Sequence, residues 1–428
     1  MLVLNDTVTT ILKNGRIPWE LLPGGPLDHG AAAAGTSAGA VHTHHPGPRR
    51  FTLDGSEALE RHLALVCAWV AGEVAQLIPA AQLEGLLLAG GYGRGEGGVL
   101  RDASGDRPYN DLEFYVFVRG NLLLAERRYR AGLHALGARL SPEAGLEVEF
   151  KLLTLDKLRR SAPAMFYYDL VLGRRWLVGD DSLLAGCAKH CDSRTIPLHE
   201  ATRLLLNRCS GLLFSAERLR RERFRPEEAD FVGRNLAKAK LAFGDVLLTA
   251  HGQYHWSCRE RHERLARLEA SGATAPFKAV RHHHAAGVAF KLHPVRSTEP
   301  QAALARRHAE LSELGNQLWL WLENRRLDTA FATTRAYALS RADKCPETSP
   351  HRNRLVNARA FGLGAALAPA GAAYPRQRLL HALCLLLWEQ SPPADATLLR
   401  RVQRELHTRA TSFAGLVAAY EQLWQRFN

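Results

Sequence analysis

Residues 111 to 118, Asp-Leu-Glu-Phe-Tyr-Val-Phe-Val, constrain the fold more than any other stretch. Aromatic and β-branched residues at this density favour a strand. Successive side chains on a strand point to opposite faces. Asp111 and Glu113 therefore share one face, and Leu112, Phe114, Val116 and Val118 share the other. Upstream, Leu86-Leu87-Leu88-Ala89 reads as a short strand ending in Gly90-Gly91, after which glycine recurs at 93, 95 and 97 around Arg94 and Glu96. Downstream, residues 146 to 153 alternate again. Leu146, Val148, Phe150 and Leu152 fall on a core face, and Glu147, Glu149 and Lys151 fall on the other.

Two carboxylates side by side on a strand, next to a glycine-rich turn, suit a hard cation held together with nucleotide phosphates. Mg²⁺ prefers oxygen ligands and usually takes one or two carboxylates plus substrate phosphates. A third acidic element on a second strand extends the same chemistry.

The surrounding chain supplies helices. Ser56 is an expected N-cap for a helix carrying Leu59, Leu63, Val66, Val70, Val74 and Leu77, stopped by Pro79. Residues 122 to 140 read as a helix ended by Ser141-Pro142, and residues 97 to 109 as a loop. Thr154 to Leu158 opens another helix. Residues 165 to 185 read as a helix closed by Gly173, a strand over 174 to 178, and a turn at Gly179-Asp180-Asp181. After Pro197 strand signals nearly vanish. Helices are expected over 198–219, 227–249 and 301–338, with loops at His282-His283-His284 and at 345–353. The expected class is α+β. A flexible lead-in over 1–53 includes a short helix near Thr7 to Leu12 and a tract with His42, His44 and His45. A small mixed-sheet domain over 54–190 follows, then a helical region over 197–428.

The chain has 428 residues and 46% hydrophobic content, enough for two or three domains with large cores. Its net charge of +13 favours an anionic partner. The Arg-rich, Lys-poor composition that carries this charge also fits a high-GC genome. No run approaches the ~20 apolar residues that span a bilayer, and the N-terminal residues lack the pattern of a secretory signal. The seven cysteines are odd in number and scattered, a reduced pattern rather than a disulfide framework. A cytoplasmic protein with no membrane partner is the expectation. Cys187, His190 and Cys191 have no second ligand pair at zinc-like spacing. Arg218, Arg220, Arg221, Arg223 and Arg225, interleaved with Glu217 and Glu222, read as a solvated helix face.

Read in order, the residues resemble the nucleotidyltransferase superfamily related to DNA polymerase β. Its pattern, an apolar residue and Gly-[Gly/Ser], then Asp-x-[Asp/Glu], then an acid between apolar residues, is matched by Ala89-Gly90-Gly91, Asp111-Leu112-Glu113-Phe114 and Val148-Glu149-Phe150. The segment GGYGRGEG is especially similar to the bacterial protein adenylyl- and uridylyltransferases. YYDLVLGRRWLVGDD resembles the segment after the third carboxylate in antibiotic and minimal members. The likeness covers about residues 85 to 182. The spacer from Gly91 to Asp111 is longer than usual, and Glu113 stands where many members have Asp.

The resemblance implies attack of an acceptor hydroxyl on the α-phosphate of a nucleoside triphosphate, with ATP the expected donor, and two Mg²⁺ ions as cofactors. Asp111 and Glu113 would bridge the metals, and Glu149, with Glu147 in reserve, would supply the third carboxylate and could act as base. Gly90 and Gly91 would let the backbone approach the phosphates. Arg94 would pair with phosphate oxygens, and Lys238, or else Lys240, would clamp the triphosphate. The acceptor could be a protein, a small molecule or RNA, entering past the loop over 97–109. A catalytically silent nucleotide-binding or antitoxin-like module is the alternative, and an RNA-binding or RNA-modifying protein is a third reading.

Overall fold

The computed structural model describes residues 50–270, 277–389 and 395–428. The expected helix near Thr7 and the tract with His42, His44 and His45 lie outside the described residues. The chain divides into two compact units. One ends at Asp192 and takes back Leu292–Pro294; the other comprises Ser193–Lys291 and Val295–Asn428. No helix among the described residues is long and apolar enough to cross a membrane.

The first unit is α+β. Helix α1 (Glu57–Leu77) starts at Ser56, whose hydroxyl accepts from Leu59 N. Strand β1 (Leu83–Leu88) leads into a single helical turn, α2 (Gly90–Gly93). A hairpin, β2 (Gly98–Asp102) and β3 (Gly105–Tyr109), precedes β4 (Asp111–Val118). Then come α3 (Leu122–Ala144), β5 (Glu147–Leu153), α4 (Leu155–Arg160), α5 (Met165–Leu172) and β6 (Arg175–Val178). The four-stranded sheet has the order β5-β4-β1-β6. β1 runs antiparallel to both β4 and β6, whereas β4 and β5 are parallel. Parallel neighbours need a crossover, and α3 is that crossover.

The sheet is buried on both faces. Leu86, Leu88, Leu112, Phe114 and Val116 pack against Leu63, Val66 and Val70 of α1 and Tyr129, Leu133 and Leu136 of α3. Leu87, Tyr115 and Phe117 pack on the opposite face with Leu155, Leu158, Leu170 and Val171. Only the first turn of the acidic face of β4 escapes: Asp111 and Glu113 are half-buried, while every residue from Phe114 to Val118 is buried.

Four expectations change here. The stretch 97–109 is not a loop but largely the β2–β3 hairpin, with Val99 opposite Pro108 and Asp102 opposite Gly105. Pro108 does not prevent this, because an isolated two-stranded ribbon accepts proline where the missing N–H faces outward. Helix α3 does not stop at Ser141-Pro142. It runs through Pro142 and ends at Gly145, whose left-handed φ of 71° terminates it. Proline's fixed φ is itself helical. The lead-in boundary at residue 53 falls inside a packed segment. Phe51 and Thr52 are buried, and their N–H groups donate to the Glu60 carboxylate at 2.7 and 2.9 Å. The histidine triplet 282–284 lies within a helix, Phe277–Leu292, rather than a loop.

The second unit has helices and no strands among its described residues, with two long helices at Leu198–Arg218 and Pro226–Ala250. The helical stretch expected over 301–338 is two helices, Gln301–Leu327 and Thr334–Leu339, separated at Asp328 in the left-handed region. Pro350–Phe361 is a helix whose first residues were read as loop. One core joins them, with Trp319, Phe243, Tyr337 and Tyr420 among its largest fully buried members.

Candidate metal centre

The parallel register of β4 and β5 sets Asp111 opposite Glu147, Glu113 opposite Glu149 and Tyr115 opposite Lys151. One ligand oxygen each from Asp111, Glu113 and Glu149 lies within 4.8 Å of the others, and this is the one such cluster of acids, histidines or cysteines among the described residues. Glu147 shares the face but is exposed at the strand start and stays outside the cluster. Cys187, His190 and Cys191 form no such cluster; buried His190 is hydrogen-bonded to the Leu158 carbonyl at 2.9 Å.

The backbone on either side of the acids is held in place. Asn110 adopts φ +86°, a left-handed conformation that asparagine tolerates better than most residues, and its side-chain amide donates to Asp111 Oδ1. The Tyr92 hydroxyl donates to the carbonyls of Gly98 and Tyr109 and accepts from Tyr109 N at 2.7 Å, tying α2 to the hairpin. Ala89 N donates to the Glu113 carbonyl at 2.9 Å. That bond sets Gly90 directly over the Glu113 side chain. A Cβ on Gly90 would stand 3.1 Å from Glu113 Oε2, and φ +66° there further disfavours a side chain. Three residues on, a Cβ on Gly93 would sit 2.2 Å from the Leu88 carbonyl oxygen. Gly91 turns away, toward the main chain of Glu96 and Gly97.

Burial, then the like charges of Glu113 and Glu149, push the Asp111 carboxyl above its ordinary 3.8, outweighing the Asn110 bond and Lys151, which lower it. The residue that relieves this repulsion is Lys151. Its Nζ lies 3.1 Å from Glu113 Oε1 and 3.2 Å from Glu149 Oε2. Burial pulls its ammonium down, but Glu113, the Tyr115 hydroxyl and Glu149 outweigh this and hold it above 10.5. Lys151 carried a signal in the sequence: it follows Glu149 by two residues on an alternating strand.

Arg94 is engaged by the protein. Its Nε donates to the Gly90 carbonyl at 2.9 Å, and its guanidinium is 3.4 Å from Asp169. It braces the glycine turn against α5, so the two stretches singled out in the sequence, GGYGRGEG and YYDLVLGRRW, meet through this pair. Lys238 lies on the helix Pro226–Ala250 of the other unit, as does Lys240, whose ammonium burial pushes down. Of the arginine run, Arg221 pairs with Glu217 and Glu228, Arg218 lies over the Phe231 ring and Arg220 over the Phe413 ring. Beside Glu149 and Lys151, a groove of about 530 Å³ opens between α3 and β5.

The donor set fits a hard divalent cation. It consists of oxygens only, its carboxylates outnumber their one ammonium partner, and Gly90 leaves the approach clear. Compared with family models, with curated proteins and with solved structures, the chain matches none.

Proposed function

We propose that the chain is a Mg²⁺-dependent nucleotidyltransferase that moves a nucleoside monophosphate, with ATP as donor, onto a hydroxyl acceptor. The observation that carries this reading is the convergence of Asp111, Glu113 and Glu149 from two strands beside Gly90. Asp111 and Glu113 would hold the cation, with Glu149 on the neighbouring strand. When bound there, Mg²⁺ draws charge from the phosphate oxygens and lowers the pKa of a coordinated hydroxyl. Gly90, lacking a side chain, lets the triphosphate approach the main chain. Glu149 accepts the proton of the acceptor hydroxyl, whose oxygen bonds to the α-phosphorus. The bond from the α-phosphorus to the bridging oxygen breaks, and pyrophosphate leaves with the electron pair. The groove between α3 and β5, which Glu149 also lines, seats the acceptor. Lys238 enters no step of this reading.

The test is incubation of the full chain with Mg²⁺ and nucleoside triphosphates labelled at the α-phosphate, in the presence of cell extract. Label transfer and pyrophosphate release, both lost in Asp111→Ala and Glu113→Ala, are the expected result. Unchanged labelling in those variants would remove the assignment. The second reading, a silent nucleotide-binding module, draws on Lys151, which already neutralises part of the cluster. It predicts nucleotide affinity without pyrophosphate release.

A further inference from the structure

Lys151 bears on how many ions the centre takes. Two acids bridging two divalent ions, with a third acid on one of them, need every carboxylate of the cluster. Here Glu113 and Glu149 each give an oxygen to one ammonium, at 3.1 and 3.2 Å. The Tyr115 ring, 5.6 Å from Nζ, backs that ammonium from the same face of the neighbouring strand. The register explains why: Tyr115 and Lys151 are directly opposite, one pair beyond Glu113 and Glu149. Lys151 thus spans the gap between the two strands, with its ammonium on a carboxylate from each. The charge count agrees. Three carboxylates and one ammonium leave two negative charges, which one divalent ion neutralises. Asp111, which accepts from the neutral Asn110 amide, is the acid that Lys151 does not contact.

We propose that Lys151 is the resident cation of this centre, and that without nucleotide the cluster binds one divalent ion, between Asp111 and Glu113, instead of two. This rests on the metal-dependent reading above. Glu149, on the neighbouring strand, is then kept for the acceptor's proton rather than used as a metal ligand.

The test is Mn²⁺ titration of the full chain, followed by electron paramagnetic resonance, without nucleotide. Wild type should bind one ion. Lys151→Met should bind a second, with the spin coupling of a close Mn²⁺ pair. Lys151→Arg, which keeps the charge, should restore the single ion and guards against a misfolded Met variant. Two ions on the wild type, or the same number and affinity in all three proteins, would overturn the proposal while leaving a metal-dependent enzyme intact. No ion on any of them would overturn the metal-dependent reading along with it.

Discussion

Two carboxylate sites in this molecule make a useful contrast. Glu323, in the helical unit, is fully buried, yet each of its oxygens is satisfied. Oε1 accepts from Thr202 Oγ1 at 2.6 Å and Arg326 Nε at 2.9 Å; Oε2 accepts from a second Arg326 nitrogen at 2.7 Å and from the Tyr337 hydroxyl at 2.8 Å. Asp111, Glu113 and Glu149 are less buried and have one ammonium among them, which Glu113 and Glu149 contact. The first is a complete polar network in a core, the kind that rigidifies a fold. The second gathers negative charge beyond what the protein neutralises. Surplus like charge costs stability, and it is the arrangement a cation-binding site requires. Burial alone would have ranked the two sites in the wrong order.

The largest expected effect is at the acidic cluster. Glu113→Gln should lower nucleotidyl transfer by about a thousandfold or more, given what a metal-held transition state contributes. Its thermal midpoint should be unchanged or higher, since one of three repelling charges is gone. Calorimetry alongside the transfer assay checks both, and a variant that lost its fold would erase the contrast. Next comes Glu323→Ala, which strands Arg326, 6% exposed, in the core. Breaking a buried pair in this way costs about 3–5 kcal/mol, read from urea unfolding, with no effect that a native-state metal titration would detect. A loss within about 1 kcal/mol, the range of an exposed pair, would place Glu323 with surface charges.

Gly90→Ala should be milder for stability, about 1–2 kcal/mol for a side chain in the left-handed region. It should also weaken Mn²⁺ binding by pressing on Glu113, and the same titration reads that. A pH effect sharpens the contrast through two lysines. Lys151 is held charged by its carboxylates. Lys344 is 1% exposed, donates to Ser340 Oγ and the Ala342 carbonyl, and lies over the rings of Phe331 and Tyr337. Burial pushes its ammonium down from 10.5 to about 8, against the raising effect of Glu323. The folded state therefore binds this proton less well than the unfolded chain. Stability should rise as pH climbs from about 8 toward 10.5, and Lys344→Met should flatten that rise. Urea midpoints across this range measure it.

The period-two alternation in 111–118 and 146–153 made the faces of both acidic strands legible from sequence, because burial on one side enforces that pattern. Ser56, Pro79 and Gly173 marked helix ends for local reasons of capping and backbone geometry. What escaped depended on long-range contacts. Nothing local says that Arg94 would be drawn to Asp169, or that Lys151 would lean across to Glu113 instead of solvent. Pro142 was read as a breaker, but the helix runs through it to Gly145. Glu147 and Glu149 carry the same local signature, and only the parallel register separates them.

That register has a consequence for assembly. β5 is an edge strand, bound to the sheet through β4 alone. A slip of one residue would flip every side chain to the opposite face, sending Glu149 and Lys151 into the apolar layer and leaving the acids of β4 without either. On its outer side, Val148 N donates to Ser141 Oγ at 3.0 Å, and that hydroxyl donates to the Gly137 carbonyl at 2.7 Å. One hydroxyl on the crossover helix thus acts as an alignment pin for the strand. The carboxylate cluster is in this sense a proofreading mark: it exists only in chains whose crossover has docked in the right frame.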